Sequence, residues 1–213
     1  MKKILMGVSA AVISMVITGC MTAREKIQEE YARLTALPPA ERVHAPDRSI
    51  DDLGRLSHDS FNEMHGVMKA YVAASENHRE YVGFMNDVQC CVQEEKLSNE
   101  DACKKVADAV IAEDANRPAD EKVWPKVVEG INAVNALDPA KKLEELGVLT
   151  IRNAGFIKTA AELRNSFNGF DAATLQKVEA VGKIGVQLKD TSECLAFLVE
   201  QFRRVQVLKY YKK

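Results

Sequence analysis

Five cysteines and four histidines carry most of the chemical potential of this 213-residue chain. Two of the histidines, His58 and His65, fall on one helical face with Asn62, beside Asp59 and Glu63. Those are metal-ligating types, but residues i and i+7 stand about 10 Å apart along a helix, while a metal needs three or four ligands within about 2 Å of one point. They read as a solvated polar face, and no metal site is expected. His78 differs, because it falls in an apolar seam near Tyr71 and Ser75. There it reads either as a partnered core histidine or as part of a polar pocket that responds to pH or to a ligand. The sequence has no nucleophile elbow, phosphate loop, zinc-protease helix or calcium loop. Carboxylates such as Glu144, Glu145 and Glu162 are scattered as on any soluble helix. We therefore expect no catalytic residues, no cofactor and no enzyme.

The first twenty residues place the remaining chemistry. Lys2 and Lys3 precede an uncharged stretch from Ile4 to Gly19 that is rich in Leu, Ile, Val and Met. This is a basic region followed by an apolar one, shorter than the roughly 18 to 20 residues a spanning helix needs. It ends in Ile17-Thr18-Gly19-Cys20, which resembles the bacterial lipobox. The resemblance implies that the thiol of Cys20 takes a diacylglycerol, that residues 1–19 are cut away as a signal peptide, and that the new amine is acylated. Several acyl chains on one residue anchor a protein stably, since each buried methylene contributes about 0.8 kcal/mol. Met21 and Thr22 follow, where an inner-membrane lipoprotein carries Asp, so the resemblance implies the outer membrane, facing the periplasm. Removing residues 1–19 takes away two lysines and leaves 27 basic and 31 acidic side chains. Such a balance gives no reason to expect nucleic acid as a partner.

Export would put Cys90, Cys91, Cys103 and Cys194 in an oxidising compartment, and an even count there suggests two disulfides. Adjacent helical residues point about 100° apart, which disfavours Cys90 to Cys91. One of that pair is then expected to reach Cys103 across the Leu97-Ser98-Asn99 turn, and the other to reach Cys194. Buried thiols are the competing reading. Thiol metal or redox chemistry lacks a signature, because no Cys-x-x-Cys and no nearby His accompanies them.

The C-terminus is basic, with Arg203, Arg204, Lys209, Lys212 and Lys213 against Glu200 alone. Cations there oppose the helix dipole favourably and also suit anionic lipid or an acidic partner. Lys209-Tyr210-Tyr211-Lys212-Lys213 resembles the Lys-Tyr-Arg-Lys end of the major murein lipoprotein of enteric bacteria, differing at Tyr211. The resemblance implies a covalent peptidoglycan tether through Lys213. That family's trimeric coiled coil does not carry over, because this chain is longer and non-repetitive.

The elements that position these residues are helical throughout. Pro and Gly are sparse, and no stretch alternates at period two, so an all-α fold is expected. Residues 20–48 read as an anchor segment and a Pro38-Pro39 linker, and 49–213 as one helical-bundle domain. Ser49 is the expected N-cap of one long helix, about 50–95. Its seam runs through Ser57, Phe61, Met64, Met68, Tyr71, Ser75, His78, Val82, Met85, Gln89 and Val92. A helix from Ser98 to about 116 follows, then a shorter one to Leu137 with Trp124 packed at its start. Asp138-Pro139 opens a helix at about 139–168, and Asp171 caps another at about 171–210. The expected architecture is an elongated antiparallel bundle of the three long helices, with the two shorter ones at one end. Its expected role is a helical scaffold or protein-binding module of the cell envelope, partnered by another envelope protein or by peptidoglycan. The alternatives are a periplasmic ligand-binding or sensing module around Tyr71, Ser75 and His78, and the tether through Lys213.

Overall fold

A computed structural model describes residues 25–169, 171–209 and 211. The lipobox with Cys20, and the terminal Lys213, lie outside these described residues. The described chain is all-helical, with no strand. Its helices are α1 (25–35), α2 (Arg48–Ser75), α3 (Arg79–Glu94), α4 (Asn99–Asp114), α5 (Trp124–Asn135), α6 (Pro139–Ser166) and α7 (Ala172–Lys209). At 1.5 Å per residue the 38 residues of α7 span about 57 Å, and α2 and α6 about 42 Å each. These three pack side by side as the body, and α3, α4 and α5 gather around the C-terminal half of α7. No described helix is long and apolar enough to cross a membrane.

The caps follow from short side chains that reach exposed amides. Asp138 is left-handed and its carboxylate accepts from Lys141 N at 3.4 Å, with Pro139 opening α6. Asp171 accepts from Thr174 N at 2.9 Å before α7. Ser98 accepts from Asp101 N at 3.1 Å, capping α4, and donates to the Asp101 carboxylate at 2.7 Å, so Asp101 holds the cap hydroxyl rather than returning a capping-box bond to the Ser98 amide. The α2 cap differs from expectation. Asp47, not Ser49, caps it, accepting from Ser49 N at 3.0 Å, because a carboxylate two residues earlier outcompetes the hydroxyl for the first amides.

The single helix expected at 50–95 is two. Chain geometry breaks at Glu76-Asn77-His78, where His78 leaves helical space at φ −114°, ψ 69°. Neither Pro nor Gly stands there, so the local sequence does not demand the break. Its cause is tertiary: α3 turns away from α2 to pack on α4 and α5. The buried face of α3 rotates accordingly. Tyr81, Phe84, Met85 and Val88 face the core, whereas the seam residues Val82 and Gln89 are only half-buried.

Disulfides are a second correction. Among the described residues no disulfide joins Cys90, Cys91, Cys103 and Cys194. Cys103 lies near Arg204, ten residues and about 15 Å further along α7 than Cys194, so those two thiols face different levels of the bundle. Cys194 instead sits near Arg33, Asp190 and Glu193.

Two apolar clusters fill the interior. The larger includes Phe61, Met68, Tyr71, Tyr81, Phe84, Val127, Ile131, Leu198 and Phe202. The smaller, at the far tip, is built from Ile50, Leu53, Ala160, Ala180, Val181, Ile184 and Leu188. The expected linker is part of the packing: Val43 and Ala45 cover the tip cluster, and a Cβ on Gly54 would stand 2.3 Å from Val43 O. Helix α1 is docked as well, with Leu34 buried in the main core.

Candidate functional site

Tyr71, Ser75 and His78 do not form one pocket. Tyr71 is fully buried and donates to Gln201 Oε1 at 3.2 Å, and burial raises its phenol far above its usual range. Ser75 is buried too, with its hydroxyl 3.5 Å from the Tyr31 hydroxyl of α1. His78, half-buried, stands at the start of α3 against Gly130 of α5. The helix break carries its ring out of line with the other two. His65 departs from expectation in the opposite sense. It is only 8% exposed, and its Nε2 donates to Leu37 O at 3.0 Å, pinning the segment after α1 onto α2. His58 stays on the outer face, 3.2 Å from the Asn62 amide.

The polar centre the structure does build surrounds Arg204. Its guanidinium has no exposure, although it sits in the helix end that reads as uniformly basic and solvated. Nε donates to Asn99 Oδ1 at 2.8 Å, Nη2 donates to Gln89 Oε1, and the Glu200 carboxylate lies 3.7 Å away. Asn99 also donates to Glu200, so α3, α4 and α7 converge on one cation. Desolvation pulls the Arg204 pKa below its usual value, and Glu200 opposes that pull. The Tyr81 hydroxyl is buried nearby with no aligned hydrogen bond. One signal in the sequence hinted at this: Arg204 follows Phe202 and precedes Val205 on the apolar seam of α7.

Beside this network lies a cavity of about 270 Å³ between α1, α3 and α7. Asn86, Gln89 and Gln93 line one wall at helical spacing, Gln201 stands opposite, and Tyr31 and Phe197 supply an aromatic edge. Asn86 and Gln201 are 7% and 6% exposed. Gln201 uses its oxygen on Tyr71 and lines the cavity. Paired amide donors and acceptors beside an aromatic wall suit the holding of a polar ligand. The cysteines lie elsewhere: Cys103 and Cys194 are buried, and desolvation pushes each thiol up to about 12, so both stay protonated and unreactive.

A second candidate surface is apolar and faces outward. On α6, Val148 and Ile151 are 64% and 77% exposed, and a Cβ at Gly147 or Gly155 would touch nothing within 4 Å. On α7, Leu175, Val178 and Val186 are also exposed. The C-terminus is held by packing: Tyr211 stacks edge-on with Trp124 at 6.2 Å, and its hydroxyl donates to Asp108. Tyr211 is the position at which the tail departs from the murein-lipoprotein pattern, and here it is a structural residue.

Comparison of the chain with protein-family models, with curated proteins and with solved structures gives no match.

Proposed function

We propose that this chain is an exported lipoprotein, acylated at Cys20 and held on the outer membrane facing the periplasm, whose helical rod is a scaffold or docking module for another envelope component. The observation that carries the docking reading is the outward face of α6, where Val148 and Ile151 stand in solvent although the core has apolar surface enough to bury its neighbours Leu146 and Leu149. Branched aliphatic side chains this exposed lose the burial that would stabilise them, and a partner that covers them recovers about 1.5 to 3 kcal/mol for each. The lipobox supports the location. A photo-cross-linking residue placed at Ile151 in the full chain tests both parts. We expect cross-linked product in the membrane fraction and its loss from that fraction with Cys20→Ser. A chain found in the cytosol with residues 1–19 intact, or one that cross-links to nothing in any growth state, would overturn the proposal.

The cavity between α1, α3 and α7 favours a second reading, a ligand-binding module. Short acetylated dipeptide amides serve as probes of its amide wall. Stabilisation of the chain against heat by such a probe, abolished by Asn86→Leu, would support this reading. An unchanged melt would remove it.

A further inference from the structure

We propose that two copies of this chain pair antiparallel through α6, with the twofold axis at Ile151; this rests on the reading of the α6 face as a docking surface and names its occupant. A twofold interface uses the same patch on both copies, so two antiparallel helices bring together residues whose numbers sum to twice that of the residue on the axis. The α6 sequence meets this condition in shape and in charge. Ile151 faces the partner's Ile151, and Gly147 lies opposite the partner's Gly155, where the missing side chains leave helix backbone bare. Gly147, Ile151 and Gly155 follow one another at four-residue spacing, the ridge along which helices interdigitate.

The charges flanking the apolar centre are ordered with opposite signs at matched distances. Glu144 precedes Ile151 by seven residues, and Lys158 follows it by seven. Glu144 comes opposite the partner's Lys158, so symmetry gives two attractive pairs at the rim. The parallel arrangement would oppose Glu144 to Glu144 and Lys158 to Lys158, and like charges reject it. Within one chain these groups are little engaged. Lys158 and Glu162 meet only at 3.9 Å, with side chains 80% and 66% exposed. Arg152, the cation next to Ile151, is turned aside to Glu63 of α2, which keeps the centre of the face free of charge.

The test uses the purified full-length chain in detergent, with Ile151→Cys under mild oxidation. Only a residue on the axis lies opposite its own copy, so this variant is expected to form a disulfide-linked dimer rapidly, while Ala161→Cys on the same helix reacts about tenfold more slowly. Glu144→Lys is expected to slow the Ile151→Cys reaction about tenfold, and adding Lys158→Glu to restore it. All four positions are exposed, so the fold persists, and circular dichroism checks that. Sedimentation of the unsubstituted chain at about 100 µM, above the Kd expected of so small an interface, is expected to show dimer. A monomer at that concentration, equal rates at 151 and 161, or no restoration by the double reversal would each overturn the pairing. Capture of a different protein through Ile151 would also overturn it while leaving the docking reading intact.

Discussion

Arg204 holds a fully buried guanidinium on three half-buried partners, Asn99, Gln89 and Glu200. Removing the cation strands those amides, and breaking a buried charge network from one side costs about 3 to 5 kcal/mol. Arg204→Ala is expected to lower unfolding free energy by about 3 kcal/mol in urea titrations, and Arg204→Met by less, since it keeps the volume. The thiols give a second prediction at this scale. With Cys103 and Cys194 almost completely buried and protonated, both are expected to resist Ellman's reagent at neutral pH until the chain unfolds. Denatured but unreduced protein is expected to yield the thiols of Cys103 and Cys194 by mass after alkylation. A bridge from either would contradict the core described above. The candidate residues read from type alone fared unevenly, because side-chain type says little about surroundings. His65 reads as solvated and is buried; Arg204 reads as part of a basic helix end and is buried; His78 reads as buried and stands at a helix start.

Helix starts were legible wherever a short polar side chain is the cap, as at Ser98, Asp138 and Asp171. One cap was hidden because it acts across a loop. Asp114, at the end of α4, accepts from Val123 N at 2.9 Å and Trp124 N at 2.6 Å, and so caps α5 from nine residues away. Burial raises the pKa of this carboxyl, but the two amides and Arg117 outweigh it and leave the pKa lowered. A lowered pKa means that the folded chain holds the proton less tightly than the unfolded one. The stabilisation is therefore complete above the ordinary Asp value of about 3.9 and is lost as pH falls through the lower folded value. Asp114→Ala is expected to cost about 1 to 2 kcal/mol at neutral pH and to flatten the fall in stability below pH 4. Melts of the two proteins between neutral and acid pH check both parts. An Asp114→Ala chain as stable as its parent would show that the cap contributes nothing.

The rod is unevenly filled along its length. Where α3, α4 and α5 surround α7, four or more helices share one large cluster; at the tip only α2, α6, α7 and the 43–45 segment close over seven buried residues. Opening free energy follows the apolar surface buried locally, so the tip is expected to open before the body. Native-state hydrogen exchange is expected to show amides of 156–188 exchanging through local opening, and those of 191–208 only near global unfolding. Uniform protection along α7 would refute this. The all-helical class, the spans of α4 to α7 within a few residues, and the long body were determined by sequence alone, because a 3.6-residue apolar repeat and a capping side chain are properties of neighbouring residues. The break at 76–78, the rotated face of α3, the docking of residues 25–47 and the unbridged thiols were decided only by tertiary structure. Each depends on partners far off in the chain, as Arg204 does on Gln89 at a separation of 115 residues, and such pairings leave no local period to read.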